Sequence, residues 1–245
     1  MTDPASTARP PSGPKPKPSA ALRPRDAATL IVLDRRSSGP KVLMGRRNAG
    51  LAFMPGKFVF PGGRIEASDR RMPVAGALPD YAEAALTRQV VRPPHHLGRA
   101  LALAAIRETY EETGLLLGTT EHGAPETAPE GWEPFARHGI LPDLEALHLV
   151  ARAITPPKRV RRFDTRFFAV DRRMVAAEEP GRVSADSEFT ELAWVRLDAA
   201  RKLDLPFITR AILDDLEAQI AVDFAPYRMI PFHYERYGRR ERVAL

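Results

Sequence analysis

The chain has 245 residues, 44% of them hydrophobic, which suits one sizeable core in a single domain of about 200 residues with tails. Its formal charge is +6, but the first 25 residues hold Arg9, Lys15, Lys17, Arg23 and Arg25 against Asp3, so the remainder carries only +2 and makes no electrostatic case for nucleic acid. There is no cysteine, which excludes a disulfide framework and thiolate chemistry; neither a signal-like apolar core at the N-terminus nor an 18-residue apolar run occurs, so a soluble, cytoplasmic protein with no membrane contact is expected.

Residues 1–25, rich in Pro, Ala, Ser and Lys, are expected to form a disordered tail. Ala27 to Leu33 and Lys41 to Gly45, separated by Ser37-Ser38-Gly39-Pro40, read as a β-hairpin. Phe53-Met54-Pro55-Gly56 reads as a turn into a short strand, Lys57 to Phe60, which Pro61-Gly62-Gly63 stops with a loop suited to close backbone approach to a ligand. Residues 70–99 include a short helical candidate at Tyr81 to Val90. The strongest predicted helix runs from Leu97 to Thr113, with Leu101, Ala104, Ala105 and Ile106 at apolar spacing and Gly114 as its stop. After a loop-rich stretch with a short helix near Trp132 to Arg137 come strand candidates at Leu147 to Ile154, Phe163 to Val170 and Glu191 to Val195. Ile208, Ala211, Ile212, Leu216 and Ile220 then recur at helical spacing and should face a core.

At about 100° per residue, Glu108, Glu111 and Glu112 share one sector of the predicted helix, immediately before its glycine stop. Like charges at that spacing repel, and a divalent cation removes the conflict; oxygen donors suit Mg²⁺ or Mn²⁺. Taken alone, the cluster reads first as a solvated acidic helix end.

Combined with the Gly-Gly loop, these residues resemble the signature of the Nudix hydrolases, Gly-x5-Glu-x7-Arg-Glu-U-x-Glu-Glu-x-Gly-U, with U bulky and aliphatic. Gly63 matches the first glycine, Asp69 stands where the first glutamate belongs, and Arg107, Glu108, Glu111, Glu112, Gly114 and Leu115 match the second half. Thr109 occupies a position that is usually aliphatic. Between Asp69 and Arg107 lie 37 residues where the pattern has seven, an insertion of 30. This interruption, the phrase from Phe53 to Gly63 and a second phrase from Arg162 to Phe168 together look like the subgroup that includes peroxisomal coenzyme A diphosphatases.

The resemblance implies an α+β Nudix fold, a mixed β-sheet between α-helices, over residues 26–221, with a basic aromatic extension at 222–245. It also implies Mg²⁺- or Mn²⁺-dependent hydrolysis of a diphosphate in a small nucleotide substrate, with coenzyme A or acyl-coenzyme A leading and other dinucleotides, nucleotide sugars or a non-catalytic sensor as alternatives. Glu108 and Glu112 would ligate the metal, Glu111 would ligate or assist, and the Gly63 carbonyl would complete the set. Asp69 would pair with Arg107 from behind. Glu112 and Glu188 are the candidates for general base, although Glu188 could instead solvate a strand entrance. Lys158, Arg159, Arg161 and Arg162 form a basic run in which Arg159 and Arg162 are candidate phosphate contacts, including for a 3′-phosphate if coenzyme A is the substrate, although any single one of them reads first as part of a solvated loop; Phe53 is a candidate substrate contact. The aromatics Tyr227, Phe232, Tyr234 and Tyr237, interleaved with arginines, are expected to pack along the domain or a homodimer partner rather than bind RNA. His95 and His96 are expected at the surface of the insertion.

Overall fold

The computed structural model describes residues 22–36 and 39–245. Most of the expected tail, residues 1–21, and Ser37-Ser38 therefore lie outside the described residues. Arg25, counted with the tail from the sequence, opens the first strand, β1 (Arg25–Asp34), and its N–H donates to the Arg162 carbonyl.

Nine strands form one mixed sheet. β1 lies at its centre and is buried on both faces, which is why Thr29 to Leu33 is an almost unbroken apolar run. It runs parallel to β7 (Phe163–Asp171) and antiparallel to β2 (Lys41–Arg47), which it meets at Leu33↔Val42. Beyond β2 come β3 (Phe58–Val59) and β9 (Phe189–Arg196). Gly62-Gly63, read as a loop from the sequence, belongs to a short strand, β4 (Gly62–Arg64). It pairs with the N-terminal half of β1 at Thr29↔Gly62 and Ala28↔Gly63, along the edge that β2 leaves free as it diverges. On the other side, β6 (His148–Ile154) pairs with β7.

The C-terminal stretch, expected as an extension, supplies two further strands, β10 (Pro231–Arg236) and β11 (Arg239–Ala244). β10 lies parallel to β6 at Phe232↔Arg152. The interleaving of aromatic and charged residues here is strand alternation: Phe232 and Tyr234 join the core, and Tyr227 and Tyr237 stay exposed.

One side of the sheet is covered by α2 (Leu97–Thr113), which occupies the span expected from its periodicity. Its alanines at 100, 102, 104 and 105 are buried and let the helix lie close to β1. Gly114 ends it in the left-handed region at φ 82°, with its N–H on the Tyr110 carbonyl. A β-carbon at Gly114 would stand 2.1 Å from the Glu179 carbonyl oxygen, so only glycine fits. Leucines β5 (Leu115–Leu117) then pair with β8 (Val175–Glu178) in a separate two-stranded sheet. Within the insertion, α1 (Asp80–Thr87) buries Ala82, Ala85 and Leu86 in the same core as α2. The short α3 (Glu133–Arg137) buries Phe135 against the Tyr110 ring. The opposite side is covered by α4 (Leu197–Ala200) and α5 (Phe207–Ile220), the latter through Ile212, Leu213 and Leu216. No described helix is long and apolar enough to cross a membrane.

Candidate active site

Pairing β4 with β1 brings Gly62 and Gly63 under the C-terminal half of α2. The Gly62 N–H donates to Glu112 Oε2 at 2.9 Å. A β-carbon on Gly63 would fall within 2.3 Å of the Glu108 carboxylate, so the glycine is what allows that carboxylate to rest on the strand backbone. Glu108 and Glu112 thus sit one helical turn apart on neighbouring backbone units of one short strand.

Arg107 points the other way. Its Nε and Nη2 grip the two oxygens of Asp69 at 2.8 and 3.2 Å, both side chains being fully buried, and Nη2 also reaches the Arg64 carbonyl. Asp69 holds the start of the insertion as well, accepting the Glu66 N–H at 2.7 Å. The shorter carboxylate at position 69 therefore still reaches the arginine. Desolvation opposes the Arg107 charge, but the hydrogen bond and charge of Asp69, helped by Glu108 and Glu111, raise its pKa. Thr109, at a position usually aliphatic, is buried with its hydroxyl satisfied by the Ala105 carbonyl at 2.7 Å.

The opposite wall comes from β2 and the turn before β9. Arg47 Nη1 binds Glu188 Oε1 at 2.6 Å and its Nε binds the Phe53 carbonyl at 2.9 Å. Asn48 ties the same two segments through the Glu188 and Ala185 carbonyls. Glu188 is consequently near the α2 carboxylates. Burial, together with the charges of Glu111 and Glu188, pushes Glu108 up to about 7 against the pull of Arg107. Burial, then Glu188 and Glu108, hold Glu112 well above the ordinary carboxylate range, although the Gly62 N–H and Arg47 oppose this.

Glu108 and Glu112, both desolvated, repel each other and face the more exposed Glu188, and this set of hard oxygen donors fits a divalent cation. Glu111 is turned aside to Arg107 Nη1 at 3.1 Å. With Arg107 drawing Glu108 and Glu111, and Gly62 drawing Glu112, no three His, Asp or Glu side chains among the described residues converge closely enough to ligate one point.

The expected substrate contacts are distributed differently. Arg162 is spent on main-chain carbonyls, at Thr155 and Leu22, and holds the start of β7. Arg159 is exposed on the loop before it. Phe53 packs edge-on against Phe163 with ring centres 5.7 Å apart. His95 and His96 are exposed, with their rings edge-on to each other. Arg47 was missed by sequence reasoning: beside Arg46 at the end of a strand it carries no local signal, and its role follows from the pairing of β2 with β9.

A family model described as NUDIX domain matches residues 23–216, most of the chain. The chain belongs to the Nudix family. An acyl-coenzyme A diphosphatase, NUDT19, of Gallus gallus is 31% identical over an alignment of 204 positions that takes in 59% of this chain and 54% of that protein. A Caenorhabditis elegans Nudix relative is 26% identical over 183 positions, covering 70% of this chain and 51% of that protein. The chain thus spans about half the length of these curated relatives. The crystal structure of a Nudix hydrolase from Alicyclobacillus acidocaldarius superposes with a TM-score of 0.61 at 28% identity, covering 83% of this chain and 97% of that one. The α+β Nudix fold is therefore shown by family, sequence and structure together. The Nudix box, split by 37 residues between Asp69 and Arg107, is closed in space by their ion pair.

Proposed function

We propose that this Nudix domain is a divalent-metal-dependent hydrolase of a diphosphate within a small nucleotide substrate, with coenzyme A or an acyl derivative as the leading substrate. The observation that carries this reading is the seating of Glu108 and Glu112 on the Gly62-Gly63 backbone, with Glu188 opposite. The name of the chicken relative and the interrupted box support the coenzyme A assignment. The working unit comprises residues from β1 to β11, since β10 completes the sheet beside β6.

Glu108, Glu112 and the Gly63 carbonyl would hold the metal, with Glu111 assisting, and the ion, Mg²⁺ or Mn²⁺, would neutralise the diphosphate charge. The chain's own part is positional and acid–base. Arg107, locked by Asp69, fixes the azimuth of the glutamates. Arg47 fixes Glu188, so that a water in line with the scissile P–O bond can give its proton to a carboxylate oxygen of Glu112 or Glu188. The products from coenzyme A would be adenosine 3′,5′-bisphosphate and 4′-phosphopantetheine.

The test is a hydrolysis panel of coenzyme A, acyl-coenzyme A, NADH and ADP-ribose with Mg²⁺ or Mn²⁺, with products identified by mass. Turnover that requires the metal and is highest for the coenzyme A compounds is expected. Highest turnover of ADP-ribose or NADH would overturn the substrate assignment, and binding without turnover across the panel would overturn hydrolysis itself.

A further inference from the structure

The register of the sheet places Gly63, Ala28, Arg166, Arg152 and Phe232 side by side on five adjacent strands, β4, β1, β7, β6 and β10. This row starts beneath the Glu108 carboxylate and runs through Arg152, which binds the carbonyl of Arg88 just past the end of α1. It therefore leads from the proposed reaction centre to the insertion. Arg166 stands two strand spacings, about 10 Å, from Gly63.

The two buried arginines in the row are used in different ways. Arg152 is saturated: Nε and Nη2 hold both oxygens of Asp164 at 2.8 and 2.6 Å, and Nη1 takes the Arg88 carbonyl. Arg166 engages through Nη1 alone, with Asp26 at 2.7 Å and the Asp164 carbonyl at 2.9 Å. Its Nε and Nη2 make no hydrogen bond among the described residues, although the side chain is fully buried. Burial without those bonds disfavours the charge, so its pKa is lowered. Nε and Nη2 form the edge of a guanidinium that receives two oxygens at once, and this protein uses that edge for a carboxylate at both Arg107 and Arg152. A fork left idle in a desolvated position is costly as structure and well placed as a receptor.

We infer that the Nε–Nη2 edge of Arg166 receives a phosphomonoester of the substrate that lies beside the scissile diphosphate rather than within it. The inference deepens the proposed function and rests on it for the location of the scissile bond. On a coenzyme A substrate the group is the ribose 3′-phosphate. The oxoanion offers two oxygens to the fork, and Asp26, which is partly exposed, remains on Nη1. Arg166 is thereby a specificity-determining residue, set apart from the exposed basic loop at 158–162.

Calorimetric titration of the full chain with adenosine 3′,5′-bisphosphate and with adenosine 5′-monophosphate tests this. The wild type is expected to prefer the bisphosphate by about tenfold or more, and Arg166→Lys, which keeps charge but loses the fork, to erase most of that preference while leaving monophosphate affinity within about threefold. An unchanged preference, or equal weakening of both ligands, overturns the inference. Parallel turnover of coenzyme A and 3′-dephospho-coenzyme A separates the two levels. A raised KM confined to coenzyme A supports both readings. Absent turnover with the preference intact fails the hydrolase alone, and normal coenzyme A kinetics in the variant fails Arg166 alone. Should Arg166→Lys not fold, Asp26→Asn leaves Arg166 in place and removes a carboxylate that competes for its charge. Tighter bisphosphate binding is then expected, and weaker or unchanged binding overturns the inference.

Discussion

The two sides of the main sheet bury different chemistry. On the α2 side, Asp69, Arg107, Glu112, Arg152 and Arg166 are all buried; on the α5 side the packing is aliphatic and aromatic, and the buried polar groups are Thr209, Gln219 and Asp215, the last shared by His233 and Arg242. Burying charge is expensive unless each group is paired, and a domain built only for stability would have little reason to do it repeatedly on one face. The α5 side shows what the fold needs in order to stand, and the α2 side shows what the site adds. Two cavities, of about 200 Å³ beside His148 and Phe224 and about 330 Å³ beside Asp215 and Arg242, do not touch Gly62-Gly63 or the α2 carboxylates.

The contrast breaks most sharply at Arg107. Arg107→Met leaves the Asp69 carboxylate buried without a cation and should cost about 3–5 kcal/mol in denaturant unfolding. A loss below about 1 kcal/mol would mean the pair behaves as a surface salt bridge. On the other side, Leu216→Ala opens a void under α5 and should cost about 2–5 kcal/mol with kcat unchanged; a fall in kcat would show that the two faces are coupled. Glu112→Gln reverses that signature: kcat should fall by about 10², equivalent to about 2.7 kcal/mol in barrier, with the far-ultraviolet circular dichroism unchanged. Near-normal turnover would remove Glu112 from the chemistry.

The smallest effect concerns Glu179, which lies outside both faces. Hydrogen bonds from Tyr110 and Arg137, with His138 adding, hold it down at about 2. A carboxylate lowered in the folded state stabilises above its ordinary range, and that contribution is lost as pH falls from about 4.5 towards 2. The stability gap between wild type and Glu179→Gln should therefore narrow between pH 5 and pH 3. A gap independent of pH would show that Glu179 acts by packing alone.

The parts of this architecture legible in the sequence are those encoded locally. Leu97 to Thr113 declares itself by apolar spacing and a glycine stop, and the second half of the box is contiguous. Gly62-Gly63 misleads because two glycines read as a turn, whereas the free edge of β1 recruits them as a strand. β10 and β11 were hidden for a similar reason: their alternation is short, and the partner strand lies about 80 residues earlier, at β6. Arg152 and Arg166 look like solvent-facing strand residues until the cross-strand register is known. The phrase from Arg162 to Phe168 drew notice as a resemblance, but only the row across five strands shows which of its arginines is buried with idle donors.

Gly114 has a consequence beyond ending a helix. Its carbonyl accepts the Glu179 N–H at 2.9 Å, its own N–H closes the last turn of α2, and no side chain fits there. The helix is clamped at its far end to the small β5–β8 sheet, so its rotational phase is set from behind the site. Each residue of slippage at that clamp would turn Glu108 and Glu112 by about 100° away from Gly62-Gly63. The glycine works as an indexing pin: it supplies no side chain, yet it decides which face of the helix rests on Gly62-Gly63.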